Sequence, residues 1–115
     1  MTPMDMTITS TTAPTIRGLP LRRLLTTILA DDRGTLDVAE LARRCEMVGV
    51  EWGDRRASKV ISDALRWEIG WGRVGRAGRG RYRFVGAPRT TMRRIRVQAD
   101  AIRAILAAMG HDTGT

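Results

Sequence analysis

Apolar residues recur at helical spacing in four places along the chain. Leu21, Leu24, Leu25, Ile28 and Leu29 stand at i, i+3, i+4, i+7 and i+8, a pattern that collects them on one face of an α-helix. They predict a first helix over residues 20–30. Pro20 suits its first position, where a missing N–H is harmless, and Asp31, Asp32, Arg33 and Gly34 end it. A second helix starts at Asp37, a capping residue with Glu40 three positions on, and turns Val38, Leu41, Ala42 and Cys45 inward. A third covers residues 55–69, with Asp54 placed to cap it and Gly70 as a left-handed stop. On it Ala57, Val60, Ile61, Ala64, Leu65 and Trp67 fall on the core side. In a fourth, over residues 91–109, Met92, Ile95, Ala99, Ile102, Leu106 and Met109 follow one another at steps of 3, 4, 3, 4 and 3. That is a heptad seam, and Gly110 ends it.

Between the third and fourth helices the period drops to two. Val74, Tyr82 and Phe84 alternate with Arg73, Arg81 and Arg83. This predicts strands over residues 73–76 and 81–85, joined by Ala77-Gly78-Arg79-Gly80, where glycine supplies the positive φ of a tight turn. Thr35 and Leu36 suit a short strand pairing with this hairpin. Residues 46–54 link the second and third helices, broken by Gly49 and Gly53, with Trp52 packing back on the core. Residues 1–18 are rich in Thr, contain two Pro, carry Arg17 as their one basic side chain and show no apolar period; they read as a disordered arm. The expected organisation is an arm (1–18), a compact domain (19–87), a C-terminal helix (88–110) and a tail (111–115). The fold class is mainly α with a small β-hairpin, α+β.

Charge sharpens this picture. The 115-residue chain has a formal net charge of +8. Residues 1–68 hold ten basic and ten acidic side chains, whereas residues 69–115 hold ten basic and two acidic. The whole excess therefore lies in the hairpin and the last helix, as in proteins that meet a polyanion. Lys59 is the only lysine among twenty basic residues. Arginine's planar fork of donors suits phosphates and guanine edges. On the third helix Arg55, Ser58, Lys59, Ser62 and Arg66 fall opposite the core, with Asp63 at the edge of the stripe. A plain solvated face usually mixes acids with bases.

Catalytic and metal chemistry find little support. Cys45 is the single cysteine, so no intramolecular disulfide forms, and its position marks it as a core residue. His111 stands alone near the C-terminus, no paired carboxylates lie at active-site spacing, and no ligand set for a metal is visible. The Gly-x-Gly of the hairpin has no following Lys-Ser/Thr and opens no helix, which argues against a nucleotide loop. No enzyme activity, cofactor or small-molecule ligand is expected. No signal peptide or membrane span is visible, so a cytoplasmic, nucleoid-associated location is expected.

The order helix, short strand, helix, helix, hairpin resembles the winged helix-turn-helix superfamily. Ser62-Asp63-Ala64-Leu65 through Ile69-Gly70 to Gly78-Arg79-Gly80-Arg81-Tyr82 is similar to the recognition helix and wing of regulators of the gluconate-repressor (GntR) type. Gly78 and Gly80 match the wing-tip glycines, and Arg81 stands where that family often has Thr. The resemblance covers about residues 20–85; the single C-terminal helix is more similar to small regulators of the PadR type. It implies double-stranded DNA as partner. The third helix would enter the major groove, and the hairpin would lie along the backbone or minor groove. The expected contact set is Arg55, Arg56, Ser58, Lys59, Ser62, Arg66, Arg73, Arg76, Arg79, Arg81 and Arg83. The seam of the last helix either packs on the first helix or joins two subunits. A homodimer reading a two-fold site is the expectation, with transcription regulation as its use. Alternatives are an architectural DNA binder of low specificity and a protein-interaction module.

Overall fold

The computed structural model describes residues 18–114, with side chains as far as Met109. The expected N-terminal arm and the side chains of the tail, His111 included, lie outside the described residues. Among the described residues four helices accompany a small three-stranded antiparallel sheet, which makes the fold mainly helical, α+β.

Helix α1 (Leu19–Asp32) follows Gly18 and ends at Arg33, whose left-handed backbone (φ 63°) directs its N–H to the Leu29 carbonyl at 3.3 Å. Its five spaced apolar residues are buried as the pattern requires. Strand β1 (Thr35–Asp37) leads straight into α2 (Val38–Met47). The Asp37 carboxylate accepts from the Glu40 N–H at 2.8 Å, the expected cap. Helix α3 (Ala57–Gly70) begins two residues later than predicted. Arg56, not Asp54, is its N-cap and offers no side-chain bond, and the left-handed glycine after the helix is Gly72 (φ 79°), not Gly70.

Strands β2 (Val74–Gly78) and β3 (Arg81–Phe84) form the hairpin, and β1 pairs with the outer edge of β3, giving the order β1-β3-β2. The turn is shorter than the predicted four residues. Gly78 pairs with Arg81, so Arg79 and Gly80 alone close it, and the register slips between Arg76 and Gly78 to leave Ala77 as a bulge. Gly80 takes the positive φ (65°) the turn needs. Its carbonyl accepts the Val38 N–H at 3.0 Å, one of the donors a helix start leaves unpaired. The hairpin tip is thereby tied to α2.

Helix α4 (Arg89–Gly114) runs straight through Gly110 instead of stopping there. Its seam faces inward. Ile95, Ala99 and Leu106 are buried, Met92, Ile102 and Met109 are half-buried, and the helix lies along α1. The Arg23 Nε donates to Gln98 Oε1 at 2.6 Å, Arg96 pairs with Asp31 at 2.8 Å, and Arg103 donates to the Thr27 hydroxyl at 3.1 Å, all across this contact. Of the two expected places for the stripe, the structure shows packing within the chain, on α1 and, at Leu106, against Gly49 after α2, in place of a free subunit seam. Toward its end α4 crosses Gly49, whose φ is 107° and where an added Cβ would sit 3.2 Å from the Leu106 Cβ. Glycine serves there both for backbone shape and for close approach.

The core joins Leu21, Leu24, Leu25 and Leu29 of α1 to Leu41, Cys45, Ile61, Leu65, Val74, Tyr82 and Leu106. Cys45 has no exposure, and burial pushes its thiol up to about 12. At neutral pH a thiol reagent such as DTNB is expected to leave Cys45 unmodified in the native chain and to react once urea unfolds it. Gly49→Ala is expected to lower the unfolding free energy by about 1 kcal/mol or more, read from urea titration.

Candidate nucleic-acid interface

The outer face of α3 carries what its spacing promised. Ser58, Lys59 and Arg66 are exposed, and Ser62 is half-buried at the margin. Arg55 and Arg56 are exposed just before the helix, beside its positive dipole end. Asp63 proves to be inside the stripe. Its carboxylate takes Lys59 Nζ at 3.0 Å, and Arg66 stands at 3.6 Å from its other oxygen. Exposed pairs of this kind hold weakly, at about 0–1 kcal/mol, so both cations are easily drawn away.

The hairpin presents the second group. Arg81 and Arg83 point to one face of β3 while Tyr82 between them is buried. Across the ladder, Arg81 stands opposite Asp37 and Arg83 opposite Thr35. Arg76 sits beside the bulge and Arg79 in the turn, both exposed. Among the described residues none of Arg76, Arg79, Arg81 and Arg83 makes an ion pair.

Arg73 departs from its expected place. It does not point outward but inward, to a carboxylate that the sequence reading passed over. Glu68, wholly buried on α3, accepts Arg73 Nε at 2.7 Å and Nη2 at 3.2 Å, and Arg22 Nε of α1 at 2.9 Å. The Thr26 hydroxyl shares its proton between the Arg22 carbonyl (2.8 Å) and Glu68 Oε1 (3.1 Å). Burial pushes the Glu68 carboxyl up, but the hydrogen bonds from Arg73 and Arg22 outweigh it and hold the group below its ordinary range.

Trp67 is corrected too. Expected in the core, it is 63% exposed, and Trp71 one turn later is 66% exposed. The Arg22 guanidinium lies 5.5 Å from the Trp67 ring centre and that of Arg73 5.5 Å from Trp71, both within cation–π range. The two indoles thus roof the arginines that serve Glu68. A signal existed in the sequence: Glu68 falls four residues after Ala64 and three after Leu65, in the middle of the apolar stripe. An acid there requires a cation.

Comparison with protein-family models, with curated proteins and with solved structures finds no match.

Glu68→Ala leaves two part-buried guanidinium groups without their anion and is expected to cost about 3–5 kcal/mol. A carboxyl held below its unfolded pKa stabilises the fold above that pKa. This contribution is lost as pH falls through the folded value. Urea titrations should therefore show the gap between the native chain and Glu68→Gln closing as pH drops below about 4.

Proposed function

We propose that the chain is a DNA-binding protein of the winged-helix kind, with α3 in the major groove and the β2–β3 hairpin as the wing. The element order and the β1-β3-β2 sheet support this reading. One observation carries it: the distribution of unpaired cations. Over much of the scaffold the chain matches arginines with its own acids, as in Arg43 and Arg44 with Glu40, Arg44 with Asp32 and Arg96 with Asp31. Beyond Arg73 on the hairpin and in the two residues before α3 it does not, and Arg33 and Arg89, Arg93 and Arg94 of α4 are also exposed without an ion pair among the described residues. Arg55, Arg56, Arg76, Arg79, Arg81 and Arg83 stand exposed, without an ion pair among the described residues. Such a concentration of one sign repels itself and attracts a polyanion.

In this arrangement Arg55, Arg56, Ser58, Lys59, Ser62 and Arg66 face base edges and the flanking phosphates. Arg76, Arg79, Arg81 and Arg83 hold the backbone or the adjacent minor groove. Arg73 takes no part in contact; through Glu68 it sets the angle at which the hairpin leaves α3. Because the hairpin tip is bonded to α2, the wing meets DNA as a fixed rib, which lowers the ordering cost of binding. Regulation of transcription is the use that follows from sequence-specific contact, and competition between one selected duplex and random duplex separates it from architectural binding. A protein-docking role has one observation in its favour, the exposed Trp67 and Trp71, although Arg22 and Arg73 already lie over their rings.

Fluorescence anisotropy with a labelled duplex tests the proposal. With about six phosphate contacts, affinity should fall roughly a thousandfold between about 50 and 200 mM salt, by counterion release. Arg79→Ala and Arg83→Ala should each weaken all duplexes alike and reduce the log–log salt slope by about one. Salt-independent binding, or none at low salt, overturns the reading. Asp63→Asn should strengthen binding several-fold, since it frees Lys59 and Arg66 and removes a charge that repels phosphate. Weaker binding by that variant would take the outer face of α3 out of the interface.

A further inference from the structure

Helix α4 has a second apolar face outside its buried seam, bordering at Ala101 the groove that α4 forms with Leu19, Pro20 and Arg23 of α1. Val97, Ala101, Ala104, Ile105 and Ala108 follow at i, i+4, i+7, i+8 and i+11, one stripe of the helix. All five are exposed; Val97 is 62% and Ile105 56% exposed. The stripe runs for about 16 Å at 1.5 Å per residue. We propose that this face pairs with the same face of a second copy of the chain, the two helices antiparallel about a two-fold axis at Ala101.

Three features select that occupant. The first is side-chain size. Alanines at 101, 104 and 108 let two backbones approach closely, whereas a helix that lies on a lipid surface relies on Trp, Phe and Leu, and this face has none. The second is self-complementarity. Val97 and Ile105 each stand four residues from Ala101, so a two-fold axis there sets Val97 against Ile105 of the partner subunit, and Ile105 against Val97 of the partner subunit. The third is charge. Arg89, Arg93 and Arg94 crowd the first turns of α4, exposed and without an ion pair among the described residues. They already oppose the positive end of the helix dipole. A parallel pair would double that repulsion. The antiparallel pair keeps the two clusters at opposite ends and places Arg94 beside Ala108 of the partner subunit.

A single stripe of five small side chains buries less than the roughly 1,200 Å² of a stable interface. The dimer is therefore weak and concentration-dependent. It stands independently of the DNA reading and uses none of the residues assigned to DNA.

Sedimentation equilibrium of the full chain without DNA tests it. Over about 5 to 500 µM the weight-average mass should climb from 12.8 kDa toward twice that value. Ala101→Glu and Ile105→Glu alter exposed positions, so each should keep the native melting temperature and stay monomeric. Ala39→Glu, exposed on α2, should still dimerise. Under mild oxidation Ala101→Cys should form disulfide-linked dimers. A mixture of Arg94→Cys and Ala108→Cys should cross-link as the mixed pair. A native chain that remains monomeric throughout, or glutamate variants that dimerise like the native chain, overturn the pairing; Arg94→Cys cross-linking to itself overturns the antiparallel order. Because DNA is absent, such a failure is separate from any failure of the DNA reading.

Discussion

A carboxylate shut away from water persists only where cations are brought to it. Glu68 brings two, from opposite directions in the chain. Arg22 comes from α1, 46 residues earlier, and Arg73 from the start of the hairpin, five residues later. The three side chains thus lock α1, α3 and the β2–β3 hairpin to one another at a single point. Trp67 and Trp71 lie over the two guanidinium groups and limit the water that would weaken the pairs. The geometry of the proposed DNA face depends on this cluster, because the angle between α3 and the hairpin is set where Arg73 turns inward.

Around that point α1 is the element to which the others attach. It contacts α2, α3 and α4 and the strands β1 and β3. Its leucines provide the apolar burial, and its polar positions hold the neighbours in register: Arg22 to Glu68, Arg23 to Gln98, Thr27 to Arg103 and Asp31 to Arg96. Helix α4 is thus part of the same packed body. Its inner stripe is taken up by α1 and by Gly49 after α2, and the exposed apolar face is the one built on Val97, Ala101, Ala104, Ile105 and Ala108.

Charge is partitioned between scaffold and surface. Asp31, Asp32, Glu40 and Glu68 neutralise arginines that hold helices together. The hairpin beyond Arg73 lies out of their reach, so Arg76, Arg79, Arg81 and Arg83 stand unpaired among the described residues, as do Arg89, Arg93 and Arg94 at the start of α4. Asp63 is the exception, an acid within the cationic stripe of α3, and its grip on Lys59 and Arg66 is of the weak, exposed kind.

Local rules made much of this legible in the sequence. The four apolar periods place four helices, the alternation around Tyr82 places the hairpin, Asp37 with Glu40 marks the start of α2, and Leu36 has the short strand that pairs with β3. The cationic character of the hairpin and of the outer face of α3 was equally open to reading. Periodicity shows that a stripe is buried but not against what, so Met92 to Met109 read equally well as a subunit seam or as a face packed on α1. A charge in the sequence has no partner until the chain folds. Arg73, Arg79 and Arg83 look alike in the hairpin, yet only Arg73 comes within reach of a buried acid. Trp67 lies on the border of the apolar arc of α3, and in the fold its ring stays outside, with the Arg22 guanidinium against it. Elements follow from spacings of three, four and two residues; partners follow from distances across the fold, which those spacings do not contain.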